Sequence, residues 1–327
     1  MNSIINETIG DGWAMYHADT IEVARNLPTA SVDFSVFSPP FSSLYVYSDS
    51  PRDMGNVRSD AEFFENYGFL IREQIRVMKP GRLVAIHCML LPTSKAMSGV
   101  IGLKDFRGDI IRAYQAAGFI FHSEVTIWKN PVTAMQRTKA LGLLHKQIRK
   151  DSSMSRQGIA DFLVVMRTPG ENPEPVSHTS ETFPVERWQR YASPVWASVS
   201  GVDDEGFLIC GDDEVAGDPS SGINANNTLQ FRSAREHSDE RHICPLQLEV
   251  IRRAVRLWTN PGDVVWSPFA GIGSEGYVAV QEGRRFIGAE LKRSYFEAAC
   301  RNLQNVKNQD SLFALDAPAF VGPQTRN

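Results

Sequence analysis

The chain has 327 residues and a formal net charge of −4, with 42% hydrophobic and 22% charged residues. That composition suits one large α/β domain with an insertion, or two domains, and it rules out binding nucleic acid through overall basicity: such a ligand would need a local basic patch. The four cysteines (Cys88, Cys210, Cys244, Cys300) are far apart with no CxxC pair, which argues against zinc and a disulfide framework, and with no apolar run of membrane-spanning length the expectation is a cytoplasmic protein.

Residues 13–19 read as a short strand ending in an acid, Asp19, and Thr20 to Asn26 as a short helix stopped by Leu27-Pro28. Val32 to Val36 alternate apolar and polar residues, and Phe37 continues this buried strand into Ser38-Pro39-Pro40-Phe41. Two prolines stop the strand and fix the backbone, because proline lacks an N–H and locks φ. The result is a rigid corner with a hydroxyl, an exposed carbonyl and an aromatic ring. It offers two acceptors for an exocyclic NH2 group and a face on which a flat ring can stack. A plain strand followed by a Pro-Pro loop is the alternative reading of these four residues.

The Ser/Tyr-rich stretch from Ser42 to Arg58 has the length of a functional lid. Ser59 or Asp60 caps a helix with apolar positions at Phe63, Phe64, Tyr67, Leu70, Ile71, Ile75 and Met78, and Lys79-Pro80-Gly81 stops it. A buried strand at 82–87, an amphipathic helix at 106–117 closed by Gly118, and strands at 119–128 and 160–166 follow. The alternation predicts a parallel sheet covered on both faces. Between Met135 and Arg156, six basic residues (Arg137, Lys139, Lys146, Arg149, Lys150, Arg156) and His145 meet one acid, Asp151. The stretch is a solvated loop or a phosphate-contacting segment. Residues 170–240 lose the βα rhythm and carry many acids, as an irregular insertion with a solvated surface would.

The rhythm returns at Pro245: a helix at 246–257, a strand at 263–269, a glycine turn, a helix at 277–282, a strand at 285–290 ending in Glu290, a helix at 294–303 and a frayed tail. Gly271-x-Gly273-x-x-Gly276 lies after a strand and before a helix, with a carboxylate at the end of the next strand, which suits the ribose of a dinucleotide or of S-adenosylmethionine. A nicotinamide cofactor and a purely structural turn both stay open on these glycines alone, although nothing else in the chain suggests hydride chemistry.

Trp266-Ser-Pro-Phe-Ala-Gly-Ile-Gly-Ser274 resembles the cofactor motif of amino-group DNA methyltransferases, DPFxGSGT, and Ser38-Pro39-Pro40-Phe41 resembles their catalytic motif, (D/N/S)PP(Y/F/W). The catalytic motif comes first and the cofactor motif last, which is the order of the β group of that family. His242-Ile-Cys-Pro-Leu-Gln-Leu248 resembles the segment that precedes the cofactor motif, and Asp19 matches the acid expected near the cofactor's adenine. The resemblance covers residues 13–130 and 240–304 well and 135–240 poorly. Ser267 departs from it, because the family usually has Asp there.

The resemblance implies a Rossmann-like S-adenosylmethionine-dependent methyltransferase fold with permuted motif order. Residues 1–134 would form its catalytic half and 135–240 a target-recognition insertion that includes a main-sheet strand near 160–166. Residues 241–305 would form the cofactor-binding half and 306–327 a flexible tail. It further implies methylation of an exocyclic amino group on a flipped base of double-stranded DNA, of the phage or restriction–modification type, by a monomer or homodimer without metal. Ser before Pro-Pro leans to cytosine N4 over adenine N6. Ser38, Pro39, Pro40 and Phe41 would be catalytic. Asp19, His242, Pro245, Ser267, Pro268, Phe269, Gly271, Gly273 and Glu290 would bind S-adenosyl-L-methionine, and the six basic residues would bind DNA. An RNA or protein methyltransferase normally has the reverse motif order, and a catalytically degenerate DNA-binding protein finds support only in Ser267. Methylation at cytosine C5 needs a cysteine nucleophile in a Pro-Cys setting, and none of the four cysteines has one.

Overall fold

The computed structural model describes residues 4–41, 53–93, 99–129, 143–197, 199–202, 208–210, 227–230 and 245–306, together with Lys95, Pro131 and Ile223. The chain forms strands β1 (Asn6–Gly10), β2 (Trp13–His17), β3 (Val32–Phe37), β4 (Met78–Met89), β5 (Leu91–Thr93), β6 (Gly102–Lys104), β7 (Ile120–Ile127), β8 (Asp161–Arg167), β9 (Val195–Trp196), β10 (Val199–Val202), β11 (Leu208–Cys210), β12 (Val264–Ser267) and β13 (Arg285–Glu290). Its helices are α1 (Thr20–Asn26), α2 (Asp60–Val77), α3 (Phe106–Ala116), α4 (His145–Lys150), α5 (Val185–Tyr191), α6 (Leu248–Trp258), α7 (Ser274–Gln281) and α8 (Arg293–Gln304).

Among the described residues, nine strands make one sheet in the order β1-β2-β13-β12-β3-β4-β8-β7-β9, with β5–β6 and β10–β11 as separate pairs. The two ends of the chain share this sheet. Strand β12 pairs in parallel with both β3 (Trp266 opposite Ser35) and β13, and β13 pairs in parallel with β2. The sheet is mixed, which corrects the expectation of parallel strands throughout: β8 runs antiparallel to β4 and β7, and β1 antiparallel to β2. The reason lies in the connections. A parallel neighbour needs a crossover back to the starting edge, whereas the chain leaves β7 and re-enters at β8 on the same edge, so only an antiparallel return fits.

The helices form where apolar periodicity meets a good cap. Ser59 Oγ accepts the Glu62 N–H at the start of α2, and Asp105 accepts the Gly108 N–H at the start of α3. The chain passes from α2 into β4 at Met78 with no intervening loop, so Lys79-Pro80-Gly81 lies inside a strand rather than in a helix-stop loop. A register shift against β3 absorbs the extra residues there, with Gly81 at φ 71°. One face of the sheet packs Met15, Phe34, Val265 and Phe286 under α6, α7 and α8; the other packs Phe37, Val84, Ile86 and Met166 under α2 and α3. At the amino edge the buried Arg82 bridges Asp33 and Asp263, both at 3.1 Å, and Asp33 also accepts the Val264 N–H at 2.8 Å. This cluster ties β3, β4 and β12 together and fixes how far each strand reaches at the opposite, carboxyl edge.

Candidate active site

From β3 the chain winds through α2 to β4 on one side, and from β12 through α7 to β13 on the other. The winding direction reverses between the adjacent strands β12 and β3. A crevice opens outside the carboxyl ends of strands at such a switch point, and it is where open α/β sheets bind ligands. Ser38-Pro39-Pro40-Phe41 follows β3 on one side of this crevice, and Ser267-Pro268-Phe269 ends β12 on the other. The Phe37 and Phe269 rings pack across it at 5.8 Å.

Ser38 is half-buried, and Pro39 and Pro40 are buried. The Ser38 hydroxyl lies 2.9 Å from His87 Nδ1 at the end of β4. His87 Nε2 lies 3.0 Å from Asp161 Oδ2 at the start of β8, and Lys129 Nζ is 2.6 Å from the same oxygen. Burial pushes the Asp161 carboxyl up, but the facing His87 and Lys129 outweigh it and hold the group below the ordinary carboxylate range. The half-buried Phe41 ring stands edge-on to Phe106 at 6.0 Å and 6.4 Å from the His87 ring.

Across the switch point, the glycine turn is held by Glu290. Its Oε2 accepts the Gly271 N–H and its Oε1 the Lys292 N–H, each at 2.8 Å. Burial raises this carboxyl to about 7 against the pull of those two N–H groups, and the nearby Asp53 adds to the rise. Buried Glu275, on the first turn of α7, is pushed up to about 8 by burial and by the neighbouring Glu290.

The glycines divide their duties. A Cβ at Gly271 would meet nothing within 4 Å among the described residues, so this side of the turn is open to a ligand. At Gly273, φ is 85° and a Cβ would lie 3.0 Å from Ala299 Cβ of α8. A side chain there would therefore crowd α8. At Gly276 a Cβ would be 2.5 Å from the Phe286 ring, so this glycine lets α7 lie close on the sheet.

The Ser267 and Ser274 hydroxyls are buried and have no hydrogen-bond partner among the described residues. Orphaned polar atoms beside an open turn fit a polar ligand that would complete them. Asp19 follows β2, next to β13, where its side chain caps α1 by accepting the Ile21 N–H at 2.8 Å. Pro245 lies just before α6.

Lys146, Arg149 and Lys150 are exposed on α4 and Arg156 is half-buried. All belong to the excursion between β7 and β8, which leaves and rejoins the sheet at the carboxyl edge, next to Asp161. His242, Arg137 and Lys139, together with residues 42–52 of the expected lid and the tail beyond Val306, lie outside the described residues. The residues missed by sequence reasoning are His87, Asp161 and Lys129. One signal was available: His87 ends a buried strand with a polar side chain, as Ser38 and Glu290 do. Cys88 is fully buried, and burial, then Asp161, raise its thiol well above the ordinary range. Among the described residues no cluster of His, Cys, Asp and Glu could hold a metal, and no helix is long and apolar enough to cross a membrane.

A family profile described as DNA methylase, covering N6 and N4 enzymes, matches residues 32–301. The type II methyltransferase M.BglII of Bacillus subtilis is 34% identical over 102 residues, which is 31% of this chain and 28% of that protein. The DNA adenine methyltransferase YhdJ of Escherichia coli K12 is 37% identical over 79 residues, 24% of this chain and 27% of that protein. The chain thus matches under a third of the length of these relatives. Two solved structures share the fold. TTHA0409 of Thermus thermophilus, complexed with S-adenosyl-L-methionine, has a TM-score of 0.58 at 23% identity over 88% of this chain and 93% of that one. The cytosine-N4-specific PvuII DNA methyltransferase has a TM-score of 0.57 at 15% identity over 91% of this chain and 92% of that one.

Proposed function

The chain belongs to the N6/N4 DNA methylase family, and on that premise we propose that it is a site-specific DNA methyltransferase acting on the exocyclic amino group of a flipped base, cytosine N4 before adenine N6. The observation that carries this reading is the juxtaposition, across the switch point, of the Ser38 hydroxyl and the open face of the Gly271 turn. S-adenosyl-L-methionine, when bound, supplies an activated methyl group on a sulfonium. Glu290 would accept its ribose hydroxyls on the lone pairs left free by Gly271 and Lys292. Ser267 and Ser274, with Pro268, Phe269 and Gly273 shaping the turn, would line the rest of its site, and Asp19, His242 and Pro245 would lie around it.

A base inside a duplex cannot reach this crevice, so it must be flipped out, at a cost of a few kcal/mol. Phe41 would stack on the flipped ring, while the Ser38 hydroxyl and the Pro39 carbonyl each accept a hydrogen from its NH2. These bonds would pull the nitrogen toward tetrahedral geometry and free its lone pair for attack. Buried Cys88, with its raised thiol, offers no nucleophile for C5 chemistry.

The preference for cytosine N4 rests on Ser38 standing where a carboxylate would favour adenine N6. The relatives' own names point both ways, one to adenine and one to cytosine N4. Nucleoside mass spectrometry of DNA from cells expressing the protein tests both levels of the proposal. N4-methylcytosine is expected, N6-methyladenine alone would reverse the preference, and 5-methylcytosine would overturn the mechanism.

The excursion between β7 and β8 would carry the DNA backbone, with target recognition in the remainder of 135–240. Changing Arg149 and Lys150 to Gln should weaken binding to all DNA sequences alike and reduce the slope of log K against log salt by about 2. Unchanged affinity at low salt would mark α4 as ordinary surface.

A further inference from the structure

We propose that His87 and Asp161 form a proton relay behind Ser38, in which His87 takes up the proton that the methylated amino group gives away; this rests on the amino-methyltransferase reading of the site. The direction of the relay follows from which atoms can donate. An ionised carboxylate can only accept, so the 3.0 Å contact between His87 Nε2 and Asp161 Oδ2 places the imidazole hydrogen on Nε2. A neutral imidazole with its hydrogen there has its lone pair on Nδ1, and the Ser38 hydroxyl, 2.9 Å away, must then donate to it. With its hydrogen committed to His87, Ser38 turns its own lone pairs outward, toward the place where a flipped base presents its NH2. The geometry therefore makes a neutral hydroxyl a dedicated acceptor, which a serine lacking such a partner is not.

The proton balance closes on these atoms. Once the amino nitrogen has gained a methyl group it carries a surplus proton. Its N–H bond breaks, the bonding pair returns to nitrogen as a lone pair, and the proton passes to Ser38 Oγ as the Ser38 hydroxyl proton passes to His87 Nδ1. His87 becomes an imidazolium between Ser38 and Asp161 and afterwards loses its proton to solvent. Among the described residues, the groups facing His87 are the Ser38 hydroxyl after β3, the Phe41 ring beyond it and Asp161 of β8. Lys129, after β7, meets Asp161 Oδ2 at 2.6 Å and helps to keep that carboxylate ionised, while Asp161 Oδ1 is buried with no partner among the described residues. His87 acts through Ser38 and is a positioning residue in this scheme. It needs to be neutral, so protonation at low pH would turn Nδ1 into a donor and block the arrangement.

Two measurements test the relay. The first is 15N NMR of His87 in the cofactor-free protein, its signals identified by their loss in His87→Asn. The expected result is the neutral Nε2–H form, with Asp161→Asn shifting it toward the Nδ1–H form; a wild-type ring protonated on Nδ1 alone would overturn the proposal. The second is the pH–rate profile of wild type and His87→Asn on duplex DNA, with S-adenosylmethionine affinity measured alongside. Asn keeps an acceptor near Nδ1 but takes up no proton, so a merely structural His87 would be rescued by it. The relay predicts a kcat about 100-fold lower, within the range for general acid–base groups, loss of the acid limb, and unchanged cofactor affinity. A variant within threefold of wild type that retains the acid limb would overturn the relay alone. A wild-type protein that transfers no methyl group to DNA would overturn the functional reading and the relay with it.

Discussion

Replacing Ser38 with alanine is expected to slow methyl transfer by about 10²- to 10⁴-fold, the range for losing a positioned group that handles a proton. The substitution removes the acceptor for the target amino group and leaves His87 Nδ1 without its partner. The folding cost should be small, because Ser38 is only half-buried and its backbone is held by Pro39 and Pro40. Cofactor affinity should stay within roughly 0.5 kcal/mol of wild type, since the glycine turn lies on the neighbouring strand. Single-turnover methylation measured beside a cofactor titration separates the two quantities. Turnover within tenfold of wild type would remove Ser38 from the chemistry.

Glu290→Ala should weaken S-adenosylmethionine binding by ~1.5–3 kcal/mol, the typical worth of hydrogen bonds to a charged group. Part of that loss would come from the turn itself, because the Gly271 and Lys292 N–H groups lose their acceptor. Glu290→Gln keeps one carbonyl acceptor and should fall between alanine and wild type. The same carboxylate predicts a pH dependence. In the folded protein without ligand it titrates at about 7 instead of near its ordinary 4.5, and the cofactor's hydroxyls and positive charge favour the ionised form. Affinity should therefore be full above about pH 7 and fall below it, by at most ~1.4 kcal/mol per unit.

The stability of the ligand-free protein runs the other way. A carboxyl raised by burial contributes stability that is present below 4.5 and lost as pH rises through about 7. Titrations of wild type and Glu290→Gln at several pH values check both trends. A wild-type affinity that is flat from pH 6 to 8 would exclude Glu290 from the cofactor site.

Helix α1, helix α3 and strand β13 were legible in the sequence almost to the residue. Each is bounded by a strong local signal: Asp19 and Leu27-Pro28, Asp105 and Gly118, and the Glu282-Gly283 turn before Arg285. The exposed edge strand β1 carries no such signal, since its residues face solvent for most of their surface. The start of β4 was misplaced because Pro80-Gly81 reads locally as a loop, and only pairing with β3 makes it a bulged strand. The antiparallel course of β8 was equally hidden, because strand direction depends on the edge at which the chain returns.

The sequence by itself determined the two motifs, their order along the chain and the chemistry of their side chains. Those follow from residue type and from spacing within a strand–turn–helix unit, over which local propensity and proline and glycine stereochemistry decide the backbone. What only the tertiary structure decided were pairings between distant segments. Ser38 meets His87 across 49 positions of chain and His87 meets Asp161 across 74, Gly273 meets Ala299 of another helix, and the basic excursion emerges beside the crevice. Such contacts are set by which strands lie side by side and how far each one extends. That outcome depends on the packing of the whole core and on the buried Arg82 cluster at the opposite edge, so it cannot be read from any short window of sequence.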